Sequence, residues 1–442
     1  MSTLLEPTRS AERIGMLDTT RGIAVLGILL MNIIGFGLPN AYDDPTNWGG
    51  ADGADLTVWR TMALFFEGTM RGLFTLLFGA GALLFLERHA VRSTGLRPAD
   101  LYFRRTMWLI VFGLFNGYLL LWDGDILFYY GVTGLLLFVF RSMPARRLIV
   151  CAVAALALQS LVTTFEWTGY REIRDAAQSA QAAQMTGQAL STEQQEAVEV
   201  LNSIEGDFKP SRATQEDMIA SMQESYRSAF GVISQRTWHT QTDFFFRHGL
   251  LDSLGMMLLG MALFRLGVLT GAASTRVYVV VALVGYALGL VVNLFETTNL
   301  ERAGFSVEAL FRSYVTYDLG RTPMTLGHVG LIGLMCRIPT LAAVARTFAA
   351  AGQMALTNYL SQSLICLFVF TGAGLALFGT LERHELYYVV GAIWIVQLVW
   401  SPLWLRHFRF GPAEWAWRSL TYWRRQPMRR MQAGAAPEVF SG

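Results

Sequence analysis

Two couples of ionisable residues stand in stretches otherwise too apolar to hold them. Glu67 and Arg71 lie four positions apart in the run 61–86, a length of about 25 residues that can cross a bilayer. His248 and Asp252 repeat that spacing at the start of the run 244–264. On an α-helix, four positions bring two side chains onto one face. A lone charge near the middle of a span costs roughly 2.5–3.5 kcal/mol on insertion scales, so charges kept there are expected to be paired and turned towards protein or water. A histidine can serve as general base near neutral pH, with a carboxylate orienting its ring. An arginine can hold an anion or a developing oxyanion, with a glutamate fixing its fork. The same groups also suit a proton relay in a transporter. The plainer alternative is a set of ion pairs that only clamp helices together.

Other polar residues recur at a similar depth. At about 1.5 Å per residue, Asn32, Glu67, Asn116, His248, Asp252 and His328 lie roughly 6–12 Å below one surface, with Arg71 a turn deeper. Arg321 stands just above His328. This coincidence predicts a water-filled cavity open to the outer face and lined by Asn32, Glu67, Arg71, His248, Asp252 and His328. The expected catalytic set is His248, Asp252, Glu67 and Arg71. The expected substrate-binding set is Asn32, His328, Arg321 and Asn116. Taken singly, Asn116 and His328 read more simply as hydrogen-bonding groups between helices.

The elements that must position these residues follow from composition. The chain has 442 residues, 53% hydrophobic and 15% charged, which is the balance of a membrane protein. Apolar runs lie near 22–38, 61–86, 106–122, 125–140, 148–165, 244–264, 277–295, 322–338, 352–372 and 386–405. They predict an all-α bundle of about ten transmembrane helices. Residues 1–165 form an N-terminal half of five spans and residues 244–410 a C-terminal half of five. Residues 166–243 form an extracytoplasmic insertion, helical or partly disordered. Residues 411–442 are a Trp/Arg-rich interfacial helix and basic tail.

Loop charge alternates along the chain. Asp43, Asp44, Asp52 and Asp55 precede the second span, whereas Arg88, Arg92, Arg97, Arg104 and Arg105 follow it. By the positive-inside rule both termini are cytoplasmic, in a multi-pass protein of a bacterial inner membrane. On the inner face Arg13, Asp18 and Arg21 join the 88–105 segment in a basic rim. That rim suits an anionic cytoplasmic ligand such as the phosphates of a coenzyme, although Asp18 and Arg21 also fit a helix start. Cys151, Cys336 and Cys366 lie in or beside apolar runs and lack metal-ligand spacing, so neither a disulfide framework nor a metal site is expected. No Walker A, G-x-S-x-G or HExxH motif occurs, and a formal net charge of +2 makes no case for nucleic acid.

Four stretches carry a resemblance. They run from Arg13 to Asn32, from Arg71 to Gly81, from Gly352 to Ser363 and from Gly411 to Tyr422. Together they resemble the YeiB-like family of bacterial membrane proteins, the domain of unknown function 418. Its first span, here Asp18, Arg21, Gly22 and Asn32, is similar to that of membrane acyltransferases including heparan-alpha-glucosaminide N-acetyltransferase. The resemblance implies acyl transfer from cytoplasmic acyl-CoA to an acceptor on the far side. Those acetyltransferases have a histidine in the loop after the first span. The corresponding segment here, Pro39 to Arg60, has none, so His248 or His328 substitutes, or the branch does other chemistry. Two functions stay open: an acyltransferase acting on a small-molecule, glycan or lipid acceptor, and a transporter or lipid-handling protein using the same cavity. Membrane lipids are the expected surroundings, and a homo-oligomer is compatible with the sequence.

Overall fold

A computed structural model describes residues 15–92 and 97–430; Arg13 lies outside them. The chain passes through α1 (Gly15–Gly37), α2 (Gly53–Phe65), α3 (Thr69–Arg92) and α4 (Arg97–Leu114), which widens into a π-helical turn at Phe115–Leu119. α5 (Leu127–Phe140) and α6 (Ala145–Met185) complete the first half. α7 (Thr192–Phe208), α8 (Arg212–Glu224) and α9 (Tyr226–His239) follow, and a π-helical stretch, Thr240–Gly249, leads into α10 (Leu250–Arg265). α11 (Thr275–Arg302), α12 (Val307–Met335), α13 (Ala342–Gln353), α14 (Ala355–Phe370), α15 (Leu386–His407) and α16 (Pro412–Tyr422) end the described chain.

The fold is an all-α helical membrane bundle. Among the described residues, five helical segments are long and apolar enough to cross a membrane: α1, the α2–α3 segment, α6, α11 and α15. α12 and Pro339–Gln353 would form a sixth, broken by a 98° bend. Each of the ten apolar runs falls on helix, with α5 and α14 short but apolar. α1 begins, and α16 lies, at one end of the bundle, the terminal end. The opposite, loop end carries the 38–52 segment and α7–α9.

Two details depart from expectation. The run 61–86 is not one helix: it breaks at Phe66–Gly68, where Gly68 takes a φ of +67°. A side chain there would also strike the Tyr317 hydroxyl and the Arg321 side chain, so glycine is required twice over. Glu67 therefore precedes α3 and does not share a helical face with Arg71. The 166–243 segment is largely helical. α6 continues past its apolar half to Met185, and α7–α9 fold across the loop end. Lys209 pairs with buried Asp44 at 2.9 Å, Arg236 pairs with Asp123 at 2.6 Å, and the Arg212 guanidinium lies 3.5 Å over the Trp48 ring.

Close backbone contact sets the helix positions. A Cβ on Gly22 would overlap the Phe348 carbonyl, and one on Gly352 the Asp18 carbonyl. α1 and α13 thus meet backbone to backbone through small residues, as membrane helices do where no hydrophobic drive joins them. α3 and α10 meet in the same way: Gly79 abuts the Met257 carbonyl and Gly260 the Leu76 carbonyl. Gly79 lies eight residues after Arg71, and Gly260 eight after Asp252. The parallel helices are clamped in register, about 12 Å along the axis from those side chains. Replacing Gly22 with Val is expected to destabilise the protein by about 1–3 kcal/mol through overpacking. Gly81→Ala, where nothing lies within 4 Å, should be neutral or slightly stabilising. Thermal unfolding in detergent measures the contrast.

Candidate functional site

The residues that come together lie in the loop-end half of the bundle, and their pairing differs from the sequence expectation. Arg71 on α3 pairs with Asp252 on α10, not with Glu67. Glu67 instead meets Arg321 on α12 at 3.5 Å. Arg321 is buried and also pairs with buried Glu296 on α11, while its guanidinium stacks 4.4 Å over the Tyr317 ring. Arg71 donates to the Tyr317 hydroxyl as well. Asp318 lies beside Asp252, close enough to feel its charge. Two linked networks result, Asp318–Asp252–Arg71 and Glu67–Arg321–Glu296, joined through Tyr317.

The structure adds Tyr314, Tyr317 and Asp318, which sequence reasoning missed, beside the expected Arg321. Tyr314, Tyr317, Asp318 and Arg321 stand at i, i+3, i+4 and i+7, one continuous face of α12. That polar stripe was legible, but it precedes the apolar run that began at 322. From the loop end, Asp43 accepts a hydrogen bond from Tyr314 and lies close enough to Glu67 to feel its charge. Tyr42 beside it is 38% exposed, so the cluster has a face towards the loop-end surface.

Other predicted residues lie elsewhere. His248 does not reach Asp252; its Nε2 is 3.5 Å from Glu166 on α6 and its ring lies tilted 5.0 Å from that of Phe244. The π-helical winding at Thr240–Gly249 is the reason, because four residues there no longer make one turn. Asn116 is buried and donates to Asp125 at 2.8 Å, and Asp125 in turn accepts the Phe128 amide. His328 is buried between Phe66 and Tyr286. Asn32 is half-buried on α1, with no protein hydrogen bond among the described residues. Asp55, Glu382 and His384 bring candidate ligand atoms within 4.8 Å of one another at the loop end, a grouping that spacing along the chain concealed. The His384 ring and amide both bond Asp55 Oδ1, at 2.9 and 2.8 Å, so the trio is already closed as an ion pair.

At the terminal end Asp18 and Arg21 pair at 3.0 Å. They line a cavity of ≈ 230 Å³ together with Arg88, Arg105, Trp417 and Arg418. Arg105 stacks 3.8 Å over Trp417, whose indole N–H donates to the Arg105 carbonyl at 2.9 Å. α16 is held in place by Glu414, which accepts the Leu356 and Thr357 amides at 2.6 and 3.1 Å and so caps the start of α14. The deeper walls are apolar: Phe74, Phe78, Leu109, Leu127 and Tyr130. The Tyr130 hydroxyl lies 2.6 Å from Thr75 Oγ1 and donates to the Arg71 carbonyl at 3.3 Å. The cavity therefore closes one helical turn from Arg71.

Asp43, in the loop after α1, carries a testable charge. Burial and the nearby Glu67 push its carboxyl up to about 7, against the opposing hydrogen bond from Tyr314. A raised carboxyl pKa means that the folded state binds the extra proton. Its stabilising contribution is present below the ordinary value of 3.8 and is lost as pH rises through about 7. Asp43→Asn should therefore gain stability relative to the native protein between pH 5 and pH 8, measured by thermal unfolding. An unchanged difference across that range would contradict the assignment.

Residues 263–424 match the family described as Protein of unknown function (DUF418). The chain is 33% identical over 428 residues to Uncharacterized protein YeiB of Escherichia coli (strain K12), covering 93% of this chain and 96% of the relative. It is 29% identical over 437 residues to Uncharacterized protein YxaH of Bacillus subtilis (strain 168), covering 96% and 98%. It is 26% identical over 430 residues to an uncharacterised 39.9 kDa protein of Bacillus acidopullulyticus, covering 96% and 98%. With the four family-like stretches lying on α1, α3, α14 and α16 and the match running through both halves of the bundle, the chain belongs to the YeiB-like DUF418 family.

Proposed function

We propose that this protein is a multi-pass inner-membrane acyltransferase with both termini cytoplasmic. It takes an acyl group from acyl-CoA at the terminal end and passes it to a small-molecule, glycan or lipid acceptor at the loop end. One observation carries the reading: a single cavity is lined by Arg21, Arg88, Arg105 and Arg418 and by apolar side chains reaching Tyr130, which bonds the Arg71 backbone. Arg88 at the mouth and Arg71 beyond the closed end are seventeen residues apart on α3, about 25 Å. Arg21, Arg105 and Arg418 suit the phosphates, as arginine forks match phosphate oxygens. The apolar walls suit a pantetheine arm. The arginine excess at this end supports a cytoplasmic orientation.

The chemistry follows from the two networks. The acceptor hydroxyl or amine attacks the thioester carbonyl carbon, and its proton passes to the Asp252–Asp318 pair. Arg71 stabilises the developing oxyanion. The tetrahedral species collapses with loss of the coenzyme thiolate, which takes a proton on release. His248, 3.5 Å from Glu166, has no part in this scheme.

The neighbouring carboxyls of Asp252 and Asp318 also favour a second reading, proton-coupled transport, since paired intramembrane carboxyls suit a relay. Binding separates the two. Coenzyme A should raise the melting temperature of detergent-solubilised protein, by mass action, and Arg21→Glu should weaken that shift by at least about tenfold in apparent affinity. Asp252→Asn should keep the shift and lose acyl transfer. A protein that shows no shift with coenzyme A, but a pH-gradient-driven flux in liposomes that Asp252→Asn abolishes, is a transporter.

A further inference from the structure

A second cavity, ≈ 510 Å³, opens near the loop end between α6, α11 and α12, away from the terminal-end cavity. Its wall includes Trp167, Phe295, Arg302, Ser306 and Arg312. The charges around it are unequally satisfied. Each neighbouring acid is taken by another arginine: Glu296 by Arg321, Glu301 by Arg60 and Glu308 by Arg174. Arg302 and Arg312 are exposed and have no ion-pair partner among the described residues. A further donor faces the same space. The N-terminus of α12, a helix of 29 residues capped by Ser306, opens into the cavity, and its free amides and dipole favour an anion.

The surroundings say where that anion comes from. Below the cavity, α11 presents Leu288, Val291 and Leu294, and α6 presents Leu161 and Phe165, all strongly exposed. In a membrane bundle these apolar stripes face acyl chains, and a tryptophan at their upper end marks the headgroup level. We propose that this cavity is a binding site for the phosphate of an anionic phospholipid, held by Arg302, Arg312 and the start of α12, with the lipid tails lying along α6 and α11. The site goes beyond the acyl-transfer reading and does not depend on it. The cavity wall includes Glu296, which pairs with Arg321, so a lipid held there lies one side chain from the Glu67–Arg321 network.

Native mass spectrometry of the full chain, released from detergent with added phosphatidylglycerol or phosphatidylcholine, tests this. The native protein should retain phosphatidylglycerol selectively. The double variant R302E/R312E should lower that retention by at least about tenfold, with phosphatidylcholine retention and melting temperature in phosphatidylcholine micelles unchanged. The coenzyme A shift should survive in R302E/R312E, which separates this site from the terminal-end cavity. Equal retention of both lipids, unaffected by R302E/R312E, would overturn the proposal. Displacement by glycerol phosphate at the concentration where phosphatidylglycerol binds would also overturn it, because the site would then take a soluble phosphate.

Discussion

The ion pair between Arg71 and Asp252 is the interaction on which the arrangement depends. Both helices are otherwise apolar over this length, and neither charge is tolerable there alone. Each ion loses several kcal/mol of hydration on entering such a site, and only good geometry with further hydrogen bonds recovers it. The surroundings supply one such bond: Tyr317 accepts from Arg71. The Gly79 and Gly260 contacts hold α3 and α10 close enough for the pair to form. Gly68 turns the chain so that Glu67 leaves Arg71 and reaches Arg321. Small residues and charges thus serve one end, since the glycines fix the helix separation that the charges require.

The wet and dry parts of the bundle are divided by this pair. On the terminal side, the cavity between Arg105 and Tyr130 is basic at its mouth and apolar within. On the loop side, Tyr42, Asp43 and Tyr314 connect the networks with the surface. A group transferred through the molecule would change environments at Arg71. This is where a fixed positive charge does most for an anionic intermediate, because the low-dielectric walls do not screen it.

Much of the fold was legible because hydrophobic length is a one-dimensional signal. All ten apolar runs lie on helices, and Glu67, Arg71, Asp252 and Arg321 do gather in one region. Which of them touch was not legible. Spacing along a helix coupled Glu67 to Arg71 and His248 to Asp252, but a turn at Gly68 and a π-helical stretch before Leu250 removed both faces. Neither the pairing of Arg71 with Asp252 across 181 positions nor the closure of Asp55 with His384 leaves a trace in local spacing. Asp318 could have been found from its stripe on α12, had that helix not been bounded by its apolar residues alone. Glu414 read as part of an interfacial anchor, whereas its carboxylate caps α14, a long-range contact that composition does not reveal.

A double-mutant cycle on Arg71 and Asp252 tests the central claim most directly. Thermal or denaturant unfolding would be measured for Arg71→Met, Asp252→Asn and the double variant. With Asp252 buried and Arg71 only half-buried, each single change is expected to cost about 1–3 kcal/mol by stranding the other partner. The double change should then restore a large part of that loss, a coupling well above 0.5 kcal/mol. Single effects that are small, or that simply add in the double variant, would contradict the account, because the two charges would then not be holding each other in the bundle.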